Sequence, residues 1–136
     1  MTMIDNVAID TNILVYCHSD DELEKRVIAE RLLETNPMIS TQVLSEYLNV
    51  VKHRLKLPKE KVLNICSRNI DFCKLFAVHK STLKLAGKLI TRYDFQLFDS
   101  IVVGAAVEAG CKILYSEDLQ HNQLIEKQLR IINPFL

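Results

Sequence analysis

The chain has 136 residues, of which 49% are apolar and 25% charged, and its 17 basic side chains balance 17 acidic ones. This composition is typical of a globular protein and argues against a disordered or fibrous chain. A net charge of zero excludes a global positive field, so a nucleic-acid partner would need a local basic patch or a metal ion. We expect a single domain over residues 1–136 and no membrane span, since no stretch approaches ~20 apolar residues.

The amino-terminal region and the cysteines indicate a protein of the reducing cytoplasm. No basic start precedes an apolar stretch in the first 20 residues, so we expect no signal peptide. The cysteines show no C-x-x-C spacing, which argues against a zinc site and a disulfide framework. We predict reduced core thiols in a cytoplasmic protein at Cys17, Cys66, Cys73 and Cys111.

Short apolar runs alternate along the chain with longer stretches of helical periodicity. We predict, in chain order, a strand at 7–9, a helix at 21–36, a strand at 37–40, a helix at 42–55 capped by Thr41, and a helix at 59–71 opened by Pro58. There follow a strand at 74–78, a helix at 82–93 capped by Ser81, a helix at 100–110 begun by Asp99 and stopped by Gly110, and strands at 112–116 and 130–132. The apolar side of the first helix comprises Leu23, Val27, Ile28, Leu32 and Leu33.

This alternation of strands and helices predicts an α/β fold. Crossover connections imply a three-layer α/β/α arrangement with a central parallel sheet of about five short strands. The predicted strands are continuous apolar runs, as expected for strands covered on both faces. In such sheets, ligands bind beyond the carboxyl ends of the strands, so polar residues there are candidates for function.

Four acids stand at or near such positions. Asp10 directly follows the first strand, and Asp118 follows the fourth strand after Ser116 and Glu117. Glu46 lies about one and a half turns into the helix that follows the second strand, at the margin of its apolar face. Asp99 begins the buried helix before the fourth strand. If residues 92–98 return the chain to the carboxyl edge of the sheet, all four acids converge.

Clustered carboxylates repel one another and raise one another's pKa unless a cation lies between them. No His or Cys accompanies these acids, so the oxygen-ligated ions Mg²⁺ or Mn²⁺ are the natural partners. Such ions activate water and stabilise the leaving oxygen of a phosphodiester, which predicts metal-assisted phosphodiester hydrolysis. Each acid also has a structural interpretation: Asp10 and Asp99 can cap helices, Glu46 can be a solvated edge residue, and Asp118 can serve a turn.

The segment 51–61 gathers several cations and offers a candidate contact for phosphate groups. Lys52 and Arg54 are the substrate-binding candidates within it. The alternative is a solvated helix end, where cations are favourably placed near the carboxyl terminus of the helix.

Three motifs carry a resemblance to a known family. "IDTNIL", "ISTQVLSEYLNV" and "FDSIVVGAAVEAGCKILYSEDLQ" occur in an order and spacing that resemble PIN-domain nucleases, and particularly VapC-type toxin ribonucleases of toxin–antitoxin pairs. The resemblance covers nearly the whole chain. It implies an α/β/α fold, an acidic pocket for Mg²⁺ or Mn²⁺, endonucleolytic cleavage of single-stranded RNA, a homodimer and a small antitoxin protein that blocks the pocket.

The resemblance also implies roles for individual residues. The four acids of the family correspond to Asp10, Glu46, Asp99 and Asp118 as catalytic and metal-binding residues, with Ser116 at a supporting hydroxyl position and Asn12 orienting Asp10. Asn122 stands where relatives commonly have Gly, so whether Glu117 shares or replaces the role of Asp118 stays open.

Two other functions compete with the nuclease interpretation. A doubly wound phosphoacceptor or phosphatase domain needs a second acid close to its nucleophilic Asp, whereas Asn12 occupies the position two after Asp10. A non-catalytic binding module with this fold is the other alternative, and the presence of all four acids argues against it.

Overall fold

The computed structural model describes residues 6–136, in which six strands form one sheet. The strands are β1 (Val7–Ile9), β2 (Met38–Ser40), β3 (Lys74–Phe76), β4 (Ile113–Tyr115), β5 (Leu124–Ile125) and β6 (Leu129–Ile132). Their order across the sheet is β3-β2-β1-β4-β6-β5. All neighbouring pairs are parallel except β5 and β6, which are antiparallel.

Six helices connect these strands within the same residues. They are α1 (Thr11–Tyr16), α2 (Leu23–Leu33), α3 (Thr41–Leu55), α4 (Lys59–Ile70), α5 (Lys80–Tyr93) and α6 (Leu97–Glu108). No helix in residues 6–136 is long and apolar enough to cross a bilayer.

The connections place the helices in two layers. From β1 to β2 and from β2 to β3 the chain moves in one direction across the sheet, and from β3 to β4 it moves back. Because such parallel crossovers are right-handed, α1–α4 cover one face and α5 and α6 cover the other. The predicted three-layer α/β/α fold with a central parallel sheet is therefore confirmed.

The core follows from the apolar runs in the sequence. The central strands bury Ile9, Leu114 and Ile131, each at most 1% exposed. Helix α6 also buries Val103 and Ala106 completely, as expected of a helix that is apolar on nearly all sides. The cysteines are free, and three of the four are buried, in agreement with their prediction as core thiols.

Helix ends differ from the sequence prediction by a few residues. Ser40, and not Thr41, caps α3: its hydroxyl accepts a hydrogen bond from Val43 N at 3.2 Å. His79, and not Ser81, precedes α5, where the hydroxyl of Thr82 accepts a hydrogen bond from His79 N at 3.0 Å. Pro58 immediately precedes α4 rather than lying in its first turn.

The carboxyl end of α6 agrees with its prediction. Gly110 has a φ of +78°, and its N–H donates to Val107 O at 3.0 Å. This backbone conformation favours glycine, which explains why the helix stops there.

Four further elements depart from expectation. The short helix α1 and the strand β5 were not predicted, and β3 ends at Phe76 instead of reaching residue 78. Helix α2 is shorter than the predicted 21–36, and its Leu23 and Val27 are 61% and 47% exposed. Helix α2 packs mainly against α1 and buries only Ala29 and Leu33. Leu23 and Val27 therefore lie outside its buried side.

Candidate metal centre

Asp10 lies at the junction between β1 and α1 and is only 6% exposed. Its backbone is extended and its carboxylate caps α1, accepting a hydrogen bond from Thr11 N at 2.7 Å through Oδ1. Oδ2 accepts a hydrogen bond from the Ser116 hydroxyl at 2.8 Å. Asp10 is thus both a helix cap and a buried acid at the carboxyl end of a central strand, so its structural and functional interpretations are compatible.

Glu46 faces the same region from α3. Thr11 Oγ1 donates to its Oε2 at 2.9 Å, and Gln42 Nε2 donates to its Oε1 at 2.7 Å. Both oxygens of this half-buried carboxylate are therefore held by side-chain donors from two different helices.

Asp118 is held by the loop that follows β4 and by α1. Asn12 Nδ2 donates to Asp118 Oδ2 at 3.1 Å, and Asn12 Oδ1 accepts from Glu117 N at 3.3 Å. Asp118 N donates to the Ser116 hydroxyl at 3.3 Å. Asn12, which was expected to orient Asp10, instead orients Asp118, while Ser116 contacts both acids.

Asp99 lies in the first turn of α6, which begins at Leu97 with Gln96 as its cap. The helix therefore begins two residues earlier than predicted, at Leu97 instead of Asp99. At this position the carboxylate benefits from the positive end of the helix dipole. Asp99 lines the same cleft as Asp10, so the chain reaches the carboxyl edge of the sheet at the start of α6, which is the condition on which convergence of the acids depended.

All four acids line one open cleft with a volume of about 430 Å³. Thr11, Asn12 and Arg54 line it as well. The first and last of these carboxylates, Asp10 and Asp118, are 108 positions apart in the sequence, and the fold brings them together at one edge of the sheet.

The electrostatics of the cleft reflect this crowding. The pKa of Asp10 is raised to about 6, and burial is the largest cause. The hydrogen bonds from Ser116 and Thr11 oppose this rise, and the charges of Asp99 and Glu46 add to it. Burial also raises the pKa of Asp99, as do the neighbouring charges of Glu46 and Asp118. A cation in the cleft would relieve both effects.

The donor set of the cleft fits a hard divalent cation better than a soft one. The side-chain groups of the cleft that can ligate a cation are carboxylate, hydroxyl and amide oxygens, which are ligands that Mg²⁺ and Mn²⁺ prefer. As the side chains stand, no three acidic, His or Cys groups of residues 6–136 lie close enough to ligate one ion directly. Mg²⁺ commonly keeps several waters and takes one or two protein carboxylates, so the cleft suits a largely hydrated ion.

Glu117 turns toward a different set of partners. Its carboxylate accepts hydrogen bonds from Tyr16 OH at 2.5 Å and from Lys25 Nζ at 2.6 Å. Burial acts to raise the pKa of Glu117, but these two donors outweigh it and the pKa is lowered. The ion pair with Lys25 neutralises Glu117, whereas Asp118 is held by the neutral Asn12.

The two cationic candidates occupy different places. Arg54, two turns beyond Glu46 on α3, lines the acidic cleft. Lys52 instead lines a larger, mainly apolar groove of about 630 Å³ between α3 and α4. Chemistry rather than size singles out the acidic cleft, because the larger groove contains only one acid, Glu60.

Two polar residues of the site, Thr11 and Gln42, were missed by sequence reasoning. Gln42 precedes Glu46 by four residues, a spacing that places both side chains on one face of a helix and could have revealed it. Thr11 gave no comparable signal, because its contact with Glu46 depends on how α1 packs against α3.

Several solved structures share the fold of this chain. In fold it resembles a toxin–antitoxin complex from Klebsiella pneumoniae, with 18% identity, a TM-score of 0.69, and 95% of this chain and 97% of that one covered. It also resembles VapC20 from Mycobacterium tuberculosis, described as a sarcin-ricin loop cleaving toxin (18% identity, TM-score 0.65, 83% and 90% covered). A DNA-bound VapBC from Salmonella typhimurium is similar as well (18% identity, TM-score 0.65, 94% and 97% covered).

No curated protein sequence matches the chain. The model of the PIN domain family, however, matches residues 7–127, which contain all four acids of the cleft. This chain belongs to the PIN domain family.

Proposed function

We propose that this protein is a metal-dependent endoribonuclease and the toxin of a toxin–antitoxin pair. The observation that carries this proposal is the convergence of Asp10, Glu46, Asp99 and Asp118 on one open cleft. Membership in the PIN domain family and the fold shared with VapC toxins support the same activity.

In this proposal the four carboxylates are the catalytic residues and would hold Mg²⁺ or Mn²⁺ largely through the waters bound to the ion. The bound ion supplies an activated water and neutralises the charge that develops on the phosphodiester. Ser116 and Asn12 keep Asp10 and Asp118 in place, as their hydrogen bonds indicate. Arg54, at the wall of the cleft, contacts a phosphate of the RNA, and Lys52 contributes to substrate binding from the neighbouring groove between α3 and α4.

The reaction is hydrolysis of an internal phosphodiester of RNA. The cleft is open to solvent, with Asp118 exposed and Glu46 and Asp99 half-buried, so an extended single strand can reach it without local rearrangement. The protein itself carries no net charge, so the metal and Arg54 together offset repulsion between the acids and the phosphates.

Purified protein incubated with end-labelled single-stranded RNA tests this activity. We expect internal cleavage with Mg²⁺ or Mn²⁺, and loss of cleavage with EDTA and in the Asp99→Asn variant. Glu60→Gln, which removes an exposed acid outside the cleft, is the matched control and retains activity. Cleavage that persists in both Asp99→Asn and Asp10→Asn would contradict the nuclease assignment and favour contamination, whereas metal binding without cleavage would favour a binding module.

The regulatory part of the proposal concerns partners. Structures with this fold are described as toxin–antitoxin and VapBC complexes, which supports a small antitoxin protein as a partner. We further propose that the protein is cytoplasmic and forms a homodimer. Co-expression with the product of the adjacent reading frame is expected to yield a complex in which cleavage is inhibited. Sedimentation of the isolated chain tests the dimer.

A further inference from the structure

Among the four candidate metal-binding acids of residues 6–136, Glu46 differs from Asp10, Asp99 and Asp118 in having both oxygens held by side-chain donors. Glu117, which also lines the cleft, has the same arrangement but with the charged donor Lys25 as one of its partners. Gln42 Nε2 lies 2.7 Å from Oε1 of Glu46, and Thr11 Oγ1 lies 2.9 Å from Oε2. Asp118, in contrast, accepts a side-chain hydrogen bond on Oδ2 from Asn12. The two donors reach Glu46 from α1 and from the preceding turn of its own helix.

A glutamate at this place needs such restraint. Its side chain has three rotatable bonds and is half-buried at the margin of α3, so solvent-directed rotamers are open to it. The charges of Asp10 and Asp99 both interact unfavourably with that of Glu46. Without donors on the cleft side, repulsion would turn the carboxylate toward solvent.

We infer that Gln42 is a positioning residue that, together with Thr11, fixes the carboxylate of Glu46 at the metal site. Each carboxylate oxygen has about two acceptor sites. One hydrogen bond on each oxygen therefore leaves a free acceptor site on both for an ion or for its bound waters. This inference rests on the proposed function, because it assigns to Gln42 a role toward the ion that the cleft would hold.

The alternative is that Gln42 and Glu46 form an ordinary pair on a helix surface, as residues four apart often do. Such a pair would affect the stability of α3 but not the affinity for a cation. Gln42 does not itself line the cleft, so its substitution changes the cation site only through Glu46.

The decisive measurement is the dissociation constant of Mn²⁺ for the full chain without RNA, determined from the electron paramagnetic resonance signal of free Mn²⁺. Gln42→Met preserves the length and helix propensity of the side chain but removes the donor. We expect about tenfold weaker Mn²⁺ binding, as is typical when a partner of a metal ligand is lost. Gln42→Ala, another good helix former, is expected to give the same loss and guards against a folding defect specific to Met.

Gln128→Met is the matched control. Gln128 Nε2 donates to Val107 O and Cys111 O, both at 3.0 Å, so its loss affects stability at a site outside the cleft. We expect it to lower the melting temperature and leave Mn²⁺ affinity unchanged. Equal Mn²⁺ affinity in Gln42→Met and the wild type would overturn the inference, and so would an equal loss of affinity in Gln42→Met and Gln128→Met.

Thr11→Val adds a second test of the same carboxylate. If Gln42 and Thr11 act together, the losses of Mn²⁺ affinity in the two single variants will not add in the double variant. Strict additivity would contradict joint positioning of Glu46. The two proposals fail in different ways. If the wild-type protein neither binds Mn²⁺ nor cleaves RNA, both the proposed function and this inference are wrong. If the wild type does both and Gln42→Met binds Mn²⁺ with the same affinity, only the inference is wrong.

Discussion

The hydroxyl of Ser116 donates a 2.8 Å hydrogen bond to Oδ2 of Asp10 and thereby joins the end of β4 to the end of β1. The register of these parallel strands pairs Ile9 with Tyr115, so residues 10 and 116 meet one position beyond the sheet. Ser116 is completely buried. The sheet itself therefore fixes the orientation of the most buried acid in the cleft.

This contact predicts a pH-dependent defect in Ser116→Ala. The hydrogen bond lowers the pKa of Asp10 against the effect of burial, so its removal should raise that pKa above about 6. Protons would then compete more effectively with a cation. We expect Mn²⁺ binding about threefold weaker than in the wild type at pH 6.5, with the difference nearly gone at pH 8, where the carboxylate is ionised in both proteins.

Titrations of Mn²⁺ at the two pH values measure this effect. Ser19→Ala is a suitable control, because Ser19 is also buried and hydrogen-bonded, to Asp21 at 2.9 Å, but does not line the cleft. A defect in Ser116→Ala that is the same at both pH values would argue against an effect through the pKa of Asp10.

Asp10 also predicts how the metal-free protein responds to pH. Its pKa is about 6 in the folded state against an ordinary value of 3.8, so the folded state binds more protons between these values. Stability in EDTA should therefore fall as pH rises from about 4 to about 6 and change little above that, a difference of roughly 3 kcal/mol from this group. Asp10→Asn should lack this decline.

Urea unfolding of both proteins across this pH range provides the measurement. Groups outside the cleft contribute equally to the two curves, so the difference between them reports Asp10 together with its charge coupling to Asp99 and Glu46. A constant difference from pH 4 to pH 7 would contradict the raised pKa.

The partners of Glu117 and Asp118 predict opposite outcomes for two similar substitutions. Asp118→Asn removes a charge that lines the cleft and should weaken Mn²⁺ binding and RNA cleavage by about tenfold or more. Glu117→Gln removes a charge that Lys25 already neutralises in a partly exposed ion pair. Cleavage should therefore stay within about fivefold of wild type. The reverse pattern would assign the role of the fourth acid to Glu117.

Much of the cleft was predictable because the carboxyl ends of parallel strands share one edge of a sheet. The positions of Asp10 and Asp118 follow directly from β1 and β4 being such strands. The place of Asp99 did not follow, since a crossover can begin a helix at either edge. It is decided by residues 94–96, where Asp94 adopts a positive φ of 59° and ends α5.

The features that sequence reasoning missed depend on contacts between elements. Strand β5 has only two residues and forms through its antiparallel pairing with β6, so it carries no periodic signal of its own. Asn12 was linked to Asp10 by its proximity in sequence, but its position in the first turn of α1 directs it to Asp118. Tertiary packing decided both cases.

Arg54 predicts an electrostatic contribution to substrate binding. Neutralising one phosphate of a single strand should contribute about 0.7 to the slope of log affinity against log salt concentration. Arg54→Ala should therefore weaken RNA binding and reduce this slope by about that amount. Lys52→Ala, two residues away on α3 but outside the cleft, serves as the comparison and should have a smaller effect. Equal effects of the two substitutions would indicate that the RNA extends over the whole carboxyl end of α3.

Behind the cleft, Tyr47 connects three elements through its hydroxyl. Its side chain is completely buried, and the hydroxyl contacts His18 Nε2 at 2.5 Å and Asn69 Nδ2 at 3.0 Å. Tyr47→Phe removes these hydrogen bonds but keeps the ring, while His18 and Asn69, 3.4 Å apart, can still pair with each other. We expect a loss of about 1–2 kcal/mol in the free energy of unfolding, with Mn²⁺ affinity unchanged.

Urea denaturation at pH 7.5 tests the loss caused by Tyr47→Phe. Tyr115→Phe is the control, since Tyr115 is half-buried and its hydroxyl makes no hydrogen bond with the part of the chain that the structure describes. Because Tyr47 follows Glu46 directly, a loss of Mn²⁺ affinity in Tyr47→Phe would show that the contact of α3 with α4 and with the turn after α1 also holds Glu46 in place. Unchanged Mn²⁺ affinity together with reduced stability would instead show that Tyr47 anchors α3 without positioning the carboxylate of Glu46. Gln42 and Thr11 would then position that carboxylate without help from Tyr47.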